Sequence, residues 1–216
     1  TVKARLCFRC NPDFEGENST LVLDGQNMEL QKIRLDNLEI NPNHYSVDES
    51  HLTITGVSKK FELETEVRIQ PQNNTELEGL YKSGQIFCTQ CESEGFRKIT
   101  YFIDRPDVMS LFSTKITADN GKYPIILSNG NPVESGEMDD GRHWIKWVDP
   151  YLKPSYLFAL VAGNLLHIED KFTTASGRDV RLRIYVEPEN IEYCKHAMRS
   201  LKEAMRWDEE RFGREY

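Results

Sequence analysis

The sequence predicts a mainly β fold that gives way near its end to an α/β segment, and three observations lead there. Residues Phe61 to Ile69 alternate cleanly, with Phe61, Leu63, Val67 and Ile69 on one face and charges on the other. That is the pattern of a half-buried antiparallel strand. Turn signals such as Asp24-Gly25, Asn73-Asn74 and Asp140-Gly141, with several prolines, punctuate the chain at short intervals, as they do where many short strands meet. Past Asn164 the pattern becomes strand, turn, strand and then a three- and four-residue apolar period, which belongs to a helix.

Taken in order, Ala4 to Arg9 alternates like a strand, and Met28 to Leu35 and Leu52 to Thr55 are similar short runs. Tyr123 to Leu127 reads as a strand entering a turn at Ser128 to Pro132, with His143 to Val148 as the strand that returns. Many short strands joined by turns mean a sandwich or saddle of sheets. Tyr156 to Gly163 lacks alternation, so both its faces should be covered in a central strand. Lys171 to Thr174, a turn at Ser176-Gly177-Arg178 and Val180 to Val186 form the late hairpin. Pro188 then opens a long helix, where its missing N–H costs nothing, and Gly213 stops it after Phe212. Ile191, Cys194, Met198, Leu201 and Met205 make its apolar stripe. The boundary is placed at about Asn164, giving residues 1–164 as the β domain and 165–216 as the start of the next.

Composition narrows the function classes. With 38% hydrophobic and 29% charged residues the chain is ordinary soluble globular material. A formal charge of −8 argues against nucleic acid, whose affinity rests on clustered Lys and Arg. The longest apolar run, Tyr156 to Gly163, is far too short to span a bilayer, and no charged-then-apolar leader opens the chain. Five cysteines, an odd count, argue for a reducing compartment, with the cytoplasm as the simplest home. In that setting the sequons Asn18-Ser19-Thr20 and Asn73-Asn74-Thr75 are just loops.

Cys7-Phe8-Arg9-Cys10 and Cys88-Thr89-Gln90-Cys91 form two C-x-x-C pairs, the arrangement that could supply four thiolates to a structural zinc. Their separation far exceeds the roughly 15 to 20 residues of the usual pattern. An extended Ala4 to Arg9 would also turn Cys7 and Cys10 to opposite faces. Buried or half-buried thiols are the plainer expectation. The competing function class is therefore a noncatalytic β-sandwich interaction module, with or without a structural zinc held through these pairs.

The stretch from Gly79 to Asp107 carries Thr89-Gln90-Cys91-Glu92, Gly95-Phe96-Arg97 and Asp104-Arg105-Pro106-Asp107 in that order. It resembles the substrate-facing loop of the bacterial aminopeptidase N family of zinc exopeptidases. The likeness continues through Leu127 to Asn131, Trp144 to Trp147, Lys153-Pro154 and Trp207 to Gly213, and is weak over the first 70 or so residues. The resemblance implies a β-sandwich or saddle N-terminal domain, followed by the opening strands and long helix of a thermolysin-like α/β domain. It also implies that Gln90 and Glu92 reach into the active site of that next domain and receive the α-ammonium group of a peptide with a free N-terminus. Arg97, Asp104, Arg105 and Asp107 are expected to fix the loop through ion pairs and turns, and Cys91 to fill space.

The zinc machinery itself is missing. A zincin helix needs His-Glu-x-x-His, so that both imidazoles face the metal and the carboxylate activates its water. His44, His51, His143, His167 and His196 are followed by Tyr, Leu, Trp, Ile and Ala. The family's Gly-Ala-Met-Glu-Asn motif is absent too, and in relatives both motifs lie downstream. Together with a first residue that is not Met, this leads to the expectation of the front of a longer zinc aminopeptidase, cut before its catalytic centre and inactive alone. Its catalytic and metal residues would lie outside this chain, with the remaining domains of the same polypeptide as partners. The helix stripe is expected to be left partly uncovered, so that the chain associates at high concentration, or else to pack on the β body.

Overall fold

The computed structural model of the chain describes residues 1–13 and 19–216, so the Asn18 of the first sequon lies outside the described residues. The chain divides into two compact units, Thr1–Ala162 and Gly163–Tyr216.

In the first unit, one four-stranded antiparallel sheet runs in the order β1 (Val2–Arg9), β7 (Lys60–Arg68), β3 (Glu29–Leu35), β4 (Leu38–Glu39). A three-stranded sheet runs β2 (Thr20–Asp24), β6 (His51–Thr55), β5 (Tyr45–Val47). The two sheets contribute to one core of Leu23, Ile33, Leu52, Ile54, Phe61, Leu63, Val67 and Tyr101. The alternation of β7 is realised as expected: Phe61, Leu63, Thr65 and Val67 are buried. On the opposite face, Glu62, Glu64 and Glu66 pair with Arg5, Arg34 and Lys3 of the flanking strands.

Two further sheets complete the unit. One is β11 (Ile125–Ser128), β14 (Leu160–Gly163), β9 (Ile86–Gln90), β8 (Gly79–Ser83), and the other β10 (Ser110–Asp119), β13 (Arg142–Lys153), β12 (Asn131–Glu137). Here the structure corrects the sequence in two places. The partner of β13 across the second turn is not the Tyr123 to Leu127 strand, which belongs to the other sheet, but β12, whose register runs from Asn131↔Val148 to Glu137↔His143. β12 is an edge strand containing Pro132 and Gly136 and is exposed along most of its length, so no apolar periodicity marks it, and Pro is tolerated at an edge. The run from Tyr156 to Gly163 is also shorter as a strand than expected. Ser155–Leu157 forms a 3-10 turn, Leu157 is exposed, and only β14 lies centrally.

A second core sits behind the end of β9. It comprises Cys91, Phe96, Ile99, Phe102 and Phe158, with Phe112 packed against it. Phe96 is at its centre, edge-on to Phe102, Phe158 and Phe112 with ring centroids 5.1, 5.2 and 5.8 Å away. Such tilted arrangements are the favourable ones for aromatic quadrupoles.

The second unit is a hairpin under a helix. β15 (Leu166–Thr173) and β16 (Asp179–Val186) pair along their full length, and Gly177 takes φ +88° in the turn between them. Pro188–Tyr193 forms a 3-10 turn with no side-chain cap, and α1 (Cys194–Phe212) follows. Gly213 ends it in the left-handed conformation at φ 63°, its N–H donating to the Glu209 carbonyl at 2.9 Å. The stripe is left partly uncovered, as the first expectation has it, and the cover it has comes from its own unit. Met198 and Met205 pack on Phe172, Val180 and Leu182, the apolar face of the unit's own hairpin, while Leu201 is exposed. Among the described residues no helix is long and apolar enough to cross a membrane.

The cysteines do not gather. Cys7 and Cys10 are exposed, Cys88 is half-buried, and Cys91 and Cys194 are buried. Among the described residues no group of three or more His, Cys, Asp or Glu could hold a metal ion. Burial, with the Asp104 carboxylate adding to it, pushes the Cys91 thiol up to about 12, which keeps it protonated and unreactive at neutral pH.

Two measurements check this core. Replacing Phe96 by Ala should lower unfolding free energy in urea by about 3–5 kcal/mol, as for other buried aromatics, and a loss below about 1 kcal/mol would mean the ring is not a core member. Iodoacetamide at about pH 8 should label Cys7 and Cys10 while leaving Cys91 unmodified until denaturant is added. Equal labelling of all three in native protein would show that the turn after β9 opens.

Candidate functional site

The site is built on the β8–β9 hairpin, whose register runs from Gly79↔Gln90 to Ser83↔Ile86. Where β9 ends, successive side chains part. Gln90 is exposed, Cys91 turns inward to the Phe96 core at 2% exposure, and Glu92 points out to solvent. The turn closes when the Gly95 N–H donates to the Cys91 carbonyl at 2.8 Å. The Glu92–Ser93 peptide bond within it is cis. A Cβ on Gly95 would lie 2.4 Å from the Gln90 carbonyl oxygen and 2.9 Å from the Gly79 nitrogen. Only glycine allows the turn to fold that tightly against its own hairpin.

Gln90 and Glu92 are brought together. The Gln90 Nε2 donates to the Glu92 backbone carbonyl at 3.0 Å, which holds the carboxamide over the turn and leaves its Oε1 to accept. The Glu92 carboxylate has no hydrogen-bond or ion-pair partner among the described residues. Both side chains are exposed, one a carboxylate and the other a carboxamide tied to the turn.

Behind them lies a buried clamp. The Asp104 carboxylate is 1% exposed and accepts from the Arg97 backbone N–H and from Arg97 Nε, both at 3.1 Å, through one oxygen. Its other oxygen accepts the Ser155 hydroxyl. Arg97 Nη2 donates to the Asp104 carbonyl at 3.1 Å, and Nη1 lies 3.4 Å from Glu94 and 3.7 Å from Asp24. Asp24 in turn accepts the Asp104 N–H at 3.0 Å through its carboxylate. Lys98 ties the preceding segment to the turn by pairing with Glu76 and Glu78. The Lys98 ammonium thereby holds the Glu76 carboxyl below its usual range.

Of the loop residues singled out from sequence, Arg97 and Asp104 form this clamp, whereas Arg105 and Asp107, among the described residues, form an ion pair with each other on the surface. Asp24 and Ser155, which complete the clamp, were not foreseen. Asp24-Gly25 reads as a turn and Ser155 as an ordinary residue before a strand, and neither carries a local signal of its distant partner. His143 is a strand residue as expected, buried on β13 with Nε2 2.8 Å from the Tyr123 carbonyl. A carboxylate and a carboxamide oxygen are acceptors only, the chemistry that suits a cationic donor. The arrangement contains no nucleophile–base pair and no metal cluster among the described residues.

Residues 2–157 match the family described as the peptidase M1 N-terminal domain. Aminopeptidase N of Caulobacter vibrioides is 55% identical over 201 residues, which cover 93% of this chain and 23% of that protein. Aminopeptidase N of Escherichia coli is 49% identical over 199 residues, covering 92% and 23%. The chain therefore spans less than a quarter of the length of the curated relatives it matches. Among solved structures, Legionella pneumophila aminopeptidase A in complex with aspartic acid superposes with a TM-score of 0.95 at 38% identity, over 99% of this chain and 25% of that one. An M1 zinc metallopeptidase of Deinococcus radiodurans superposes with a TM-score of 0.71 at 13% identity, over 86% and 42%, a likeness of fold alone. With the β body matched almost throughout and about half its positions shared with aminopeptidases N, the chain belongs to the peptidase M1 family, whose N-terminal domain its residues 2–157 form.

Proposed function

We propose that this chain is the amine-anchoring front of a cytoplasmic zinc aminopeptidase with broad preference, serving peptide catabolism. Glu92 and Gln90 receive the α-ammonium of the substrate, and the second unit, from about residue 165, opens the thermolysin-like catalytic domain. The observation that carries the reading is the unpartnered Glu92 carboxylate beside the free acceptor of Gln90, on a turn held from behind. An exopeptidase must measure one residue from a free N-terminus, and an acceptor pair that holds the ammonium is a sufficient ruler, because an internal peptide offers no such charge. The described residues cannot hold the zinc. Its ligands would lie elsewhere in the full-length protein, where the metal supplies an activated water and polarises the scissile carbonyl.

A hydrogen bond to a charged group contributes roughly 1.5–3 kcal/mol, and removing one partner of a desolvated pair costs about 2–5 kcal/mol. An ammonium contact that strengthens little in the transition state acts mainly on KM. In the full-length protein, Glu92→Ala should lower kcat/KM for aminoacyl substrates by about tenfold or more, mostly through KM. An unchanged value removes Glu92 from the site. Metal analysis gives a second check. The reduced 216-residue chain should hold no tightly bound zinc, whereas one zinc per chain would favour an interaction module with a cysteine site.

A further inference from the structure

The geometry points to Asp104 as the positioning residue of the amine-binding turn: by engaging Nε and Nη2 of Arg97 it fixes the turn and keeps Glu92 unpaired for the incoming ammonium. The inference rests on the reading of Glu92 and Gln90 given above.

Arg97 lies in the 3-10 turn Phe96–Lys98 that follows the Glu92 turn and is the nearest cation to Glu92 in sequence. A free guanidinium there would be the natural partner of the Glu92 carboxylate and would cancel the charge that a substrate needs. Every nitrogen of that guanidinium is already engaged. Nε is on the Asp104 carboxylate, Nη2 on the Asp104 carbonyl, and Nη1 between Glu94 and Asp24. The main chain of Arg97 is held as well, its N–H by Asp104 and its carbonyl by the Gln26 N–H at 2.9 Å. Its side chain is 15% exposed, so it cannot swing to the surface without breaking these bonds.

Asp104 is suited to that task because both its oxygens are spoken for and neither sees solvent. Burying an ion pair seldom stabilises a fold more than well-packed apolar side chains would, but it does impose direction. Asp104 joins three distant segments, at Asp24, Arg97 and Ser155, each through an oriented hydrogen bond. Its consequence is therefore expected in binding rather than in chemistry.

The test is a mutant cycle in the full-length enzyme with alanine p-nitroanilide, reading KM and kcat separately alongside thermal stability. Asp104→Asn keeps the shape but removes the charge, and should raise KM about tenfold with kcat within about twofold. In a Glu92→Ala background the same change should add little, since both act through one contact. Adding Arg97→Gln to Asp104→Asn should recover part of the lost KM, because the competing cation is gone. Should Asp104→Asn not fold, Ser155→Ala carries the same cycle with a smaller effect, about threefold on KM. If Glu92→Ala raises KM while the clamp variant is silent, or if their effects multiply, the positioning role is overturned and the anchor reading stands. If Glu92→Ala itself leaves KM unchanged, the anchor reading fails and the positioning role falls with it.

Discussion

Phe96 sits edge-on to Phe102, Phe112 and Phe158, and because it directly follows the turn that joins Gln90 and Glu92 to the rest of the loop, those two side chains depend on that ring staying seated. Burial of an aromatic of this size is the largest favourable term the turn can draw on. It is also non-directional. Hydrophobic contact alone would let the turn rotate about its seat, and Gln90 and Glu92 would not be aimed. The directional part comes from the Asp104–Arg97 clamp and from the Gly79–Gly95 backbone approach, where a single extra carbon would not fit. Adhesion and orientation are thus supplied by different residues in adjacent layers.

The remainder of the β body serves this seat at a distance. Val2 and Leu6 of β1 reach both cores, and Asp24, at the end of β2, exchanges both backbone hydrogen bonds with Phe102 at 2.8 and 3.1 Å. The clamp's Asp24 is therefore positioned by the three-stranded sheet that contains β2, and its Ser155 by the end of β13 and the turn that follows. Lys153, buried beside Asp149 at 2.8 Å and 4.1 Å from the Phe112 ring centroid, locks that same end. By contrast, the charged ladder of Glu62, Glu64 and Glu66 on the outer face is partly exposed, and such pairs contribute little to stability.

Legibility in the sequence followed how local each signal is. The β7 strand and the α1 stripe with its Gly213 stop could be read because alternation, period and cap are local properties. β10 escaped because Leu111 and Phe112 are adjacent apolar residues on opposite faces, one exposed and one half-buried, among Ser and Thr that blur the period. β12 escaped because an exposed edge strand has no core face to pattern it. What covers the rest of the stripe could not be read, because the apolar face of a hairpin and that of a helix each show in the sequence, while their pairing does not. At the site, Gln90 and Glu92 were marked only by likeness to a family, since an acidic residue in a polar loop has no physical signature of its own. Asp24 and Ser155 depend on contacts across long sequence separations and could be found only in three dimensions.

The anchor proposed for Gln90 and Glu92 would gain from being finished before a substrate arrives. Ordering a side chain at binding costs about 0.5–1.5 kcal/mol each, and a mobile turn would add its backbone to that cost. Here Gln90 is already tied to the Glu92 carbonyl, the turn is closed at Gly95, and the ring beneath is packed. Leaving the Glu92 carboxylate unpaired costs little, because on this exposed surface water solvates it. Its affinity for an ammonium would rise only where a neighbouring domain excludes that water and lowers the local dielectric. A rigid β turn that offers a solvated charge, completed by desolvation from another part of the same polypeptide, would bind weakly alone and selectively when assembled.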